Sequence, residues 1–158
     1  MPLSSTDFPH YFFAYGTLRQ GQLRDINLLR PAPTWQGRGR VRGALYDLGS
    51  YPGLLLAQGV DCGGPYGEVV GEVYATSVEL ERLLDEIEEV WPQQTGEYCK
   101  RRVEVQMDTL PEADTKTRAR PSGKIRCFTY EITALFVAGK PVISEGDWVA
   151  YRLGLGSR

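Results

Sequence analysis

Apolar residues crowd into an unbroken run from Tyr11 to Tyr15 (YFFAY), which stops at Gly16-Thr17 with polar residues close behind. Five apolar or aromatic residues in a row, closed by glycine, predict a buried strand. Leu23, Ile26 and Leu29 then recur at helical spacing. They predict a short amphipathic helix over 23–30, which Pro31 and Pro33 forbid from continuing. The stretch from Arg38 to Ala57 alternates and turns, as a hairpin around Gly49 to Gly53 requires. Val69–Thr76 reads as a further strand, and the valines of EYCKRRVEVQM (97–107) and the run IRCFTYEI (125–132) predict two more.

The strongest helical pattern is TSVELERLLDEIEEVW, residues 76–91. Thr76 and Glu79 have capping-box spacing, Leu80, Leu83, Leu84, Ile87 and Trp91 share one face, and Pro92 marks the end. Leu110–Lys124 is polar and turn-rich and is expected to be an exposed excursion. VISEGDWVAYRLG (142–154) supplies closing apolar and aromatic anchors. Strands outnumber helices without regular interleaving, so the pattern predicts an α+β fold. The length of 158 residues fits one domain over 1–158, with its core at about 11–151.

Composition narrows the chemistry. The net charge of −2, with both signs interspersed, gives no support for a nucleic-acid or membrane partner. No run approaches the roughly 18 apolar residues of a membrane helix, and no basic leader precedes the first apolar stretch, so no signal peptide is expected. The three cysteines (Cys62, Cys99, Cys127) form no CxxC pair, so a reducing, cytoplasmic setting is the default. His10 is the only histidine. Catalysis by a Ser-His-Asp or Cys-His set would depend on it, and a zinc site would have one imidazole and scattered thiols. Carboxylates, tyrosines and backbone groups are left as the reactive inventory.

Arg38, Arg40 and Arg42 alternate and so share a strand face. A nucleic-acid surface would interleave aromatic platforms with them, so a solvated edge strand is the preferred reading. On the helix, Asp85, Glu86 and Glu89 lie well off the apolar arc. Glu88 sits on its shoulder, about 40° from Leu84 on a wheel of roughly 100° per residue. Near the helix C-terminus the dipole disfavours its charge, and partial burial would raise its pKa toward the range of a general acid/base. It also reads as a boundary glutamate whose stem covers apolar surface. Gly16 to Leu18 reads either as a simple turn or as a nest of successive N–H groups suited to a carboxylate or an oxyanion.

Taken in order, YGTL (15–18), YPGL (51–54), LDEIE (84–88), Tyr98 with RRV (101–103), GDW (146–148) and Ala150-Tyr151 resemble the gamma-glutamylcyclotransferase-like family, of the gamma-glutamylamine and butirosin-biosynthesis cyclotransferase type. The resemblance implies a small mixed β-barrel flanked by helices. It implies Glu88 as the catalytic carboxyl, Tyr15, Gly16, Thr17 and Leu18 as the substrate loop, and Tyr98 and Tyr130 beside the pocket. The implied reaction is intramolecular: a gamma-glutamyl amine closes on itself to 5-oxoproline and frees an amine, with no metal or cofactor. A non-catalytic small-molecule binding module of the same fold is the alternative. Two departures fall at the helix end: Glu89 stands where the family usually has glycine, and the route from Glu88 to Tyr98 is long. The sequence leaves the leaving amine and the oligomeric state, a homodimer included, open.

Overall fold

The computed structural model describes residues 10–57, 66–108 and 123–156. Its strands are β1 (His10–Ala14), β2 (Thr34–Asp47), β3 (Pro52–Leu56), β4 (Gly67–Thr76), β5 (Tyr98–Met107) and β6 (Lys124–Ile132). Helix α1 (Val78–Ile87) follows β4, and α2 (Trp148–Gly156) closes the described chain. The sheet runs β3-β2-β4-β1-β6-β5, and a further β2–β5 pairing (Gly39↔Met107, Arg40↔Gln106) closes five of the strands into a barrel with β3 as an outer flap. Only β1–β6 is parallel, so the barrel is mixed.

Past the exposed His10, β1 is apolar because both of its faces are covered. Phe13 joins Val41, Leu45, Leu54, Val69, Val73, Val105 and Trp148 inside the barrel. Phe12 and Ala14 point the other way and pack with Leu80 and Leu84 of α1 and with Phe128 and Tyr130. Leu80 and Leu84 have no solvent exposure, and burying each stabilises the fold by about 1.5–3 kcal/mol. The same strand therefore knits two cores together and ends at Tyr15-Gly16.

The hairpin forms as expected, β2 pairing β3 from Gly43↔Leu56 to Asp47↔Pro52. Other expectations are corrected. In place of a helix over 23–30 there are successive turns and one 3₁₀ turn, Ile26–Leu28, capped by the Asp25 carboxylate, which accepts from Asn27 N. Ile26 is buried and Leu29 packs partly buried beside it, but Leu23 is 81% exposed, so the first residue of the expected apolar face has nothing to pack on. The strand register carries Thr76 into β4, opposite His10, where its hydroxyl donates to the His10 carbonyl. Ser77 is consequently the N-cap of α1, its Oγ accepting from Leu80 N at 3.1 Å. The helix stops at Ile87 rather than near Pro92, and Trp91 is 55% exposed. The arginine strand is no edge: β2 pairs with β3, β4 and β5, and Arg40 meets Glu68 and Asp108 across the surface at 3.2 and 3.3 Å. The excursion expected over 110–124 lies outside the described residues except at its end, where Lys124 begins β6.

Candidate active site

One cavity of about 260 Å³ opens at the end of the barrel where β1 stops. Every residue that the resemblance implied for the site lines it: Tyr15, Gly16, Thr17, Leu18, Glu88, Tyr98 and Tyr130. Their elements explain the convergence. β1 delivers the loop, the C-terminal cap of α1 delivers Glu88, the first residue of β5 delivers Tyr98, and β6 delivers Tyr130.

The loop is fixed from behind. The Arg19 side chain is 1% exposed, and its Nε and Nη1 donate to Glu72 Oε2 at 2.9 Å and Asp147 Oδ1 at 2.8 Å. Glu72 Oε1 also accepts from Gln20 N at 2.9 Å and from the Tyr74 hydroxyl at 2.8 Å. A buried guanidinium demands such partners, and here they hold the backbone just past Leu18. Gly16 is needed for packing: a Cβ there would come within 2.6 Å of the Pro52 ring, so the hairpin tip docks directly on the loop backbone. The N–H groups of Gly16, Thr17 and Leu18 have no hydrogen-bond partner among the described residues.

Glu88 is the C-cap of α1, its own N–H reaching Leu84 O at 2.9 Å, and its side chain is partly buried. Burial is the main influence on its carboxyl and raises it. The Arg24 guanidinium pulls it back, Glu97 and Glu89 push it up again, and the result is about 7. The tyrosines form a rigid wall. Tyr15 donates to Tyr130 O at 2.6 Å, and Tyr98 donates to Pro52 O at 2.9 Å. Tyr130 donates to Asp85 Oδ1 at 2.7 Å. Burial pushes all three phenols above their ordinary value, with the Asp85 bond adding to it at Tyr130. They are therefore neutral hydrogen-bonding groups at physiological pH.

Asp85 was expected on a solvated face. Tyr130 and Lys100, whose Nζ lies 3.1 Å from Asp85 Oδ1, draw it against the sheet. Glu89 was expected there too. Because α1 ends at Ile87, Glu89 takes a left-handed φ of 57° and lines the cavity. Glu81, at a similar wheel angle to Glu88, is instead bound to Lys100 and His10. Burial acts to raise its carboxyl, and those two hydrogen bonds outweigh it and hold it low.

Arg24, Tyr51 and Glu97 also line the cavity and were not singled out. The Tyr51 hydroxyl donates to Glu97 Oε2 at 2.5 Å, and this bond is the main reason its phenol is pushed up to about 12. Tyr51 stands within YPGL and Glu97 directly before Tyr98, so adjacency to those motifs was an available signal. Arg24 had none, because a helical reading of 23–30 gave no reason to turn it inward. Among the described residues, no group of three or more His, Cys, Asp or Glu side chains is arranged to hold a metal ion.

Comparison with known proteins follows this geometry. A family model described as gamma-glutamyl cyclotransferase, AIG2-like, matches residues 12–150. A Vibrio cholerae serotype O1 protein provisionally named gamma-glutamylcyclotransferase is 30% identical over 139 residues, 88% of this chain and 95% of its own length. The Gamma-L-glutamyl-butirosin B gamma-glutamyl cyclotransferase of Niallia circulans is 35% identical over 89 residues, 56% of this chain and 51% of its own. That match spans only about half of the Niallia protein. Among solved structures, an AIG2-like protein from Mus musculus superposes with a TM-score of 0.65 at 25% identity, covering 87% of each chain. YkqA from Bacillus subtilis also gives a TM-score of 0.65, at 22% identity, covering 95% of this chain and 43% of its own. With the family model spanning nearly all of the described core, the chain belongs to the gamma-glutamyl cyclotransferase, AIG2-like family.

Proposed function

We propose that the protein is a cyclotransferase that converts a gamma-glutamyl amine, or a small gamma-glutamyl conjugate, to 5-oxoproline and a free amine. One observation carries this reading: a single cavity holds both a carboxyl balanced near pH 7 and three backbone N–H groups in want of acceptors. The substrate's α-amine attacks its own γ-carbonyl carbon. Glu88 takes the proton that the nitrogen sheds as the new C–N bond forms. The γ-carbon–amine bond then breaks, and Glu88 returns the proton to the departing nitrogen, so that no water is consumed. The N–H groups of Gly16–Leu18 hold the glutamyl group and offset charge on the carbonyl oxygen.

Both reacting groups belong to one molecule, so orientation does most of the work and the nucleophile needs no activation by a metal. Tyr15, Tyr98 and Tyr130, each tied to a fixed acceptor, shape the wall against which the glutamyl chain curls. The Niallia relative is named for a gamma-glutamyl substrate, and the same kind of bond is proposed here. The free thiols Cys99 and Cys127 suit a reducing, cytoplasmic compartment.

The test is 5-oxoproline release from a panel of gamma-glutamyl amines. Loss of a general acid/base lowers the rate by about 10²–10⁴-fold. Glu88→Gln is accordingly expected to lose at least a hundredfold in kcat while still binding 5-oxoproline. Full turnover by Glu88→Gln, or no 5-oxoproline from any substrate with wild-type protein, overturns the assignment.

A further inference from the structure

Resting on the cyclotransferase reading, we propose that Asp85 is a positioning residue: it sets the span across the cavity between the Glu88 carboxyl and the amides of Gly16–Leu18. Asp85 lies behind the cavity wall, not in it. It stands one turn before Glu88 on α1 and ties the helix end in two directions. Its side chain reaches the sheet, where Oδ1 accepts from the Tyr130 hydroxyl of β6 at 2.7 Å and lies 3.1 Å from Lys100 Nζ of β5. Its carbonyl reaches the other way and accepts from Val90 N at 3.0 Å, while Glu86 O accepts from Glu89 N at 3.1 Å. These two backbone bonds turn the chain just past Glu88.

Local preference works against this arrangement. Glu89 takes its left-handed φ of 57° with a Cβ that crowds the backbone there. Glu81 and Asp85 are like charges four residues apart on one helix face, which weakens a helix. Lys100 offsets that repulsion by binding both carboxylates, its ammonium 4.8 Å over the Phe128 ring. Tyr130 carries the anchor to the other half of the site. Asp85 holds its hydroxyl, and its carbonyl accepts from the Tyr15 hydroxyl at 2.6 Å, directly before the amide loop. Asp85, Tyr130 and Tyr15 thus form a chain of hydrogen bonds from the helix that bears Glu88 to the loop that faces it.

The test is the pH profile of kcat and KM for 5-oxoproline release by Asp85→Ala, Asp85→Asn and Tyr130→Phe. A misplacement of about 1 Å costs on the order of a hundredfold in rate. Asp85→Ala is expected to lose about tenfold or more in kcat. KM should change little, because the Arg19 and Glu72 network still holds the loop amides. The charged groups facing Glu88 are Arg24, Glu89 and Glu97; those facing Asp85 are Lys100, Tyr130 and, across Lys100, Glu81 with its His10 partner. No variant alters the first set. A loosened Glu88 meets more water, so its limb near 7 should move down by roughly half a unit or more in Asp85→Ala and Tyr130→Phe. Tyr130→Phe breaks the same bond with every charge in place, which separates position from electrostatics. Asp85→Asn keeps an oxygen for Tyr130 and Lys100 and should retain most of kcat. The single losses should not multiply in the Asp85→Ala, Tyr130→Phe double variant, because both remove one bond. An unmoved limb in both single variants overturns this inference alone, whatever stability they lose, and so do losses that multiply. Should Asp85→Ala not fold, the limb of Tyr130→Phe decides by itself. No 5-oxoproline from wild-type protein overturns the cyclotransferase reading and this inference with it.

Discussion

Glu88 combines two pressures that the backbone sets: it caps a helix C-terminus, where negative charge is disfavoured, and its side chain is partly buried, which raises its carboxyl. A carboxyl held at about 7 is protonated below that pH and ionised above it. A base that must accept the amine proton works only when ionised, so kcat/KM is expected to rise with pH through a limb near 7. Titration of the substrate's own amine adds a second rise at higher pH. Arg24 acts on the Glu88 carboxyl in the opposite direction to Glu89 and Glu97. In Arg24→Gln the carboxyl should keep its proton to higher pH, moving the limb upward, by roughly half a unit at most because Arg24 is exposed. A pH–rate profile at low salt measures this. A downward displacement, or a limb that stays put while Glu88→Gln abolishes it, contradicts the electrostatics argued here.

At the scale of elements, the loop after β1 is held by a buried ionic network. Glu72 meets Arg19 Nε, Gln20 N and the Tyr74 hydroxyl within 2.9 Å, and Asp147 meets Arg19 Nη1 at 2.8 Å. Removing one partner of a buried pair costs about 3–5 kcal/mol because the other charge stays buried. Glu72→Gln preserves shape and Asp147 remains, so a loss near the lower figure is expected in urea unfolding. If the network positions the loop amides, KM should rise about tenfold or more, with a smaller change in kcat and an unaltered pH limb from Glu88. A loss of stability alone, with KM unchanged, reduces the network to a structural role. None of this network was visible in the chain: Arg19, Glu72 and Asp147 are far apart in sequence, and nothing local marks a buried arginine. What was legible is what local pattern controls. The apolar run of β1, the hairpin around Gly49 to Gly53 and the leucine face of α1 each read correctly, while the residue caps did not. The cap fell at Ser77 because strand pairing with His10 claimed Thr76. The early end of α1 at Ile87 brought the exposed Glu89 to the rim of the cavity, and no wheel drawn to Trp91 could have shown that.

For the whole molecule, the decisive event is closure, which joins residues that the sequence pattern treats separately. Alternating arginines suggested a guarded edge, yet the glycines between them let β5 approach. A Cβ on Gly39 would lie 2.4 Å from Val105 Cγ1 and 3.1 Å from the Gln106 carbonyl, so the close approach of β2 and β5 uses the absence of a side chain at Gly39. The side chains of Arg38, Arg40 and Arg42 turn outward on the same strand. The seam sits at the Met107 end of β5, whereas Tyr98 enters the cavity from the other end, roughly 30 Å away along an extended strand. Stability and chemistry are thus separable along one strand. Gly39→Val is expected to lower stability by about 1–3 kcal/mol, the usual cost of overpacking. The folded fraction should keep the wild-type pH–rate profile and the same preference among amines. Denaturant unfolding and kinetics on one preparation distinguish the two effects. Should Gly39→Val shift the limb near pH 7, the seam and the cavity are mechanically coupled, and the barrel carries strain from one end to the other.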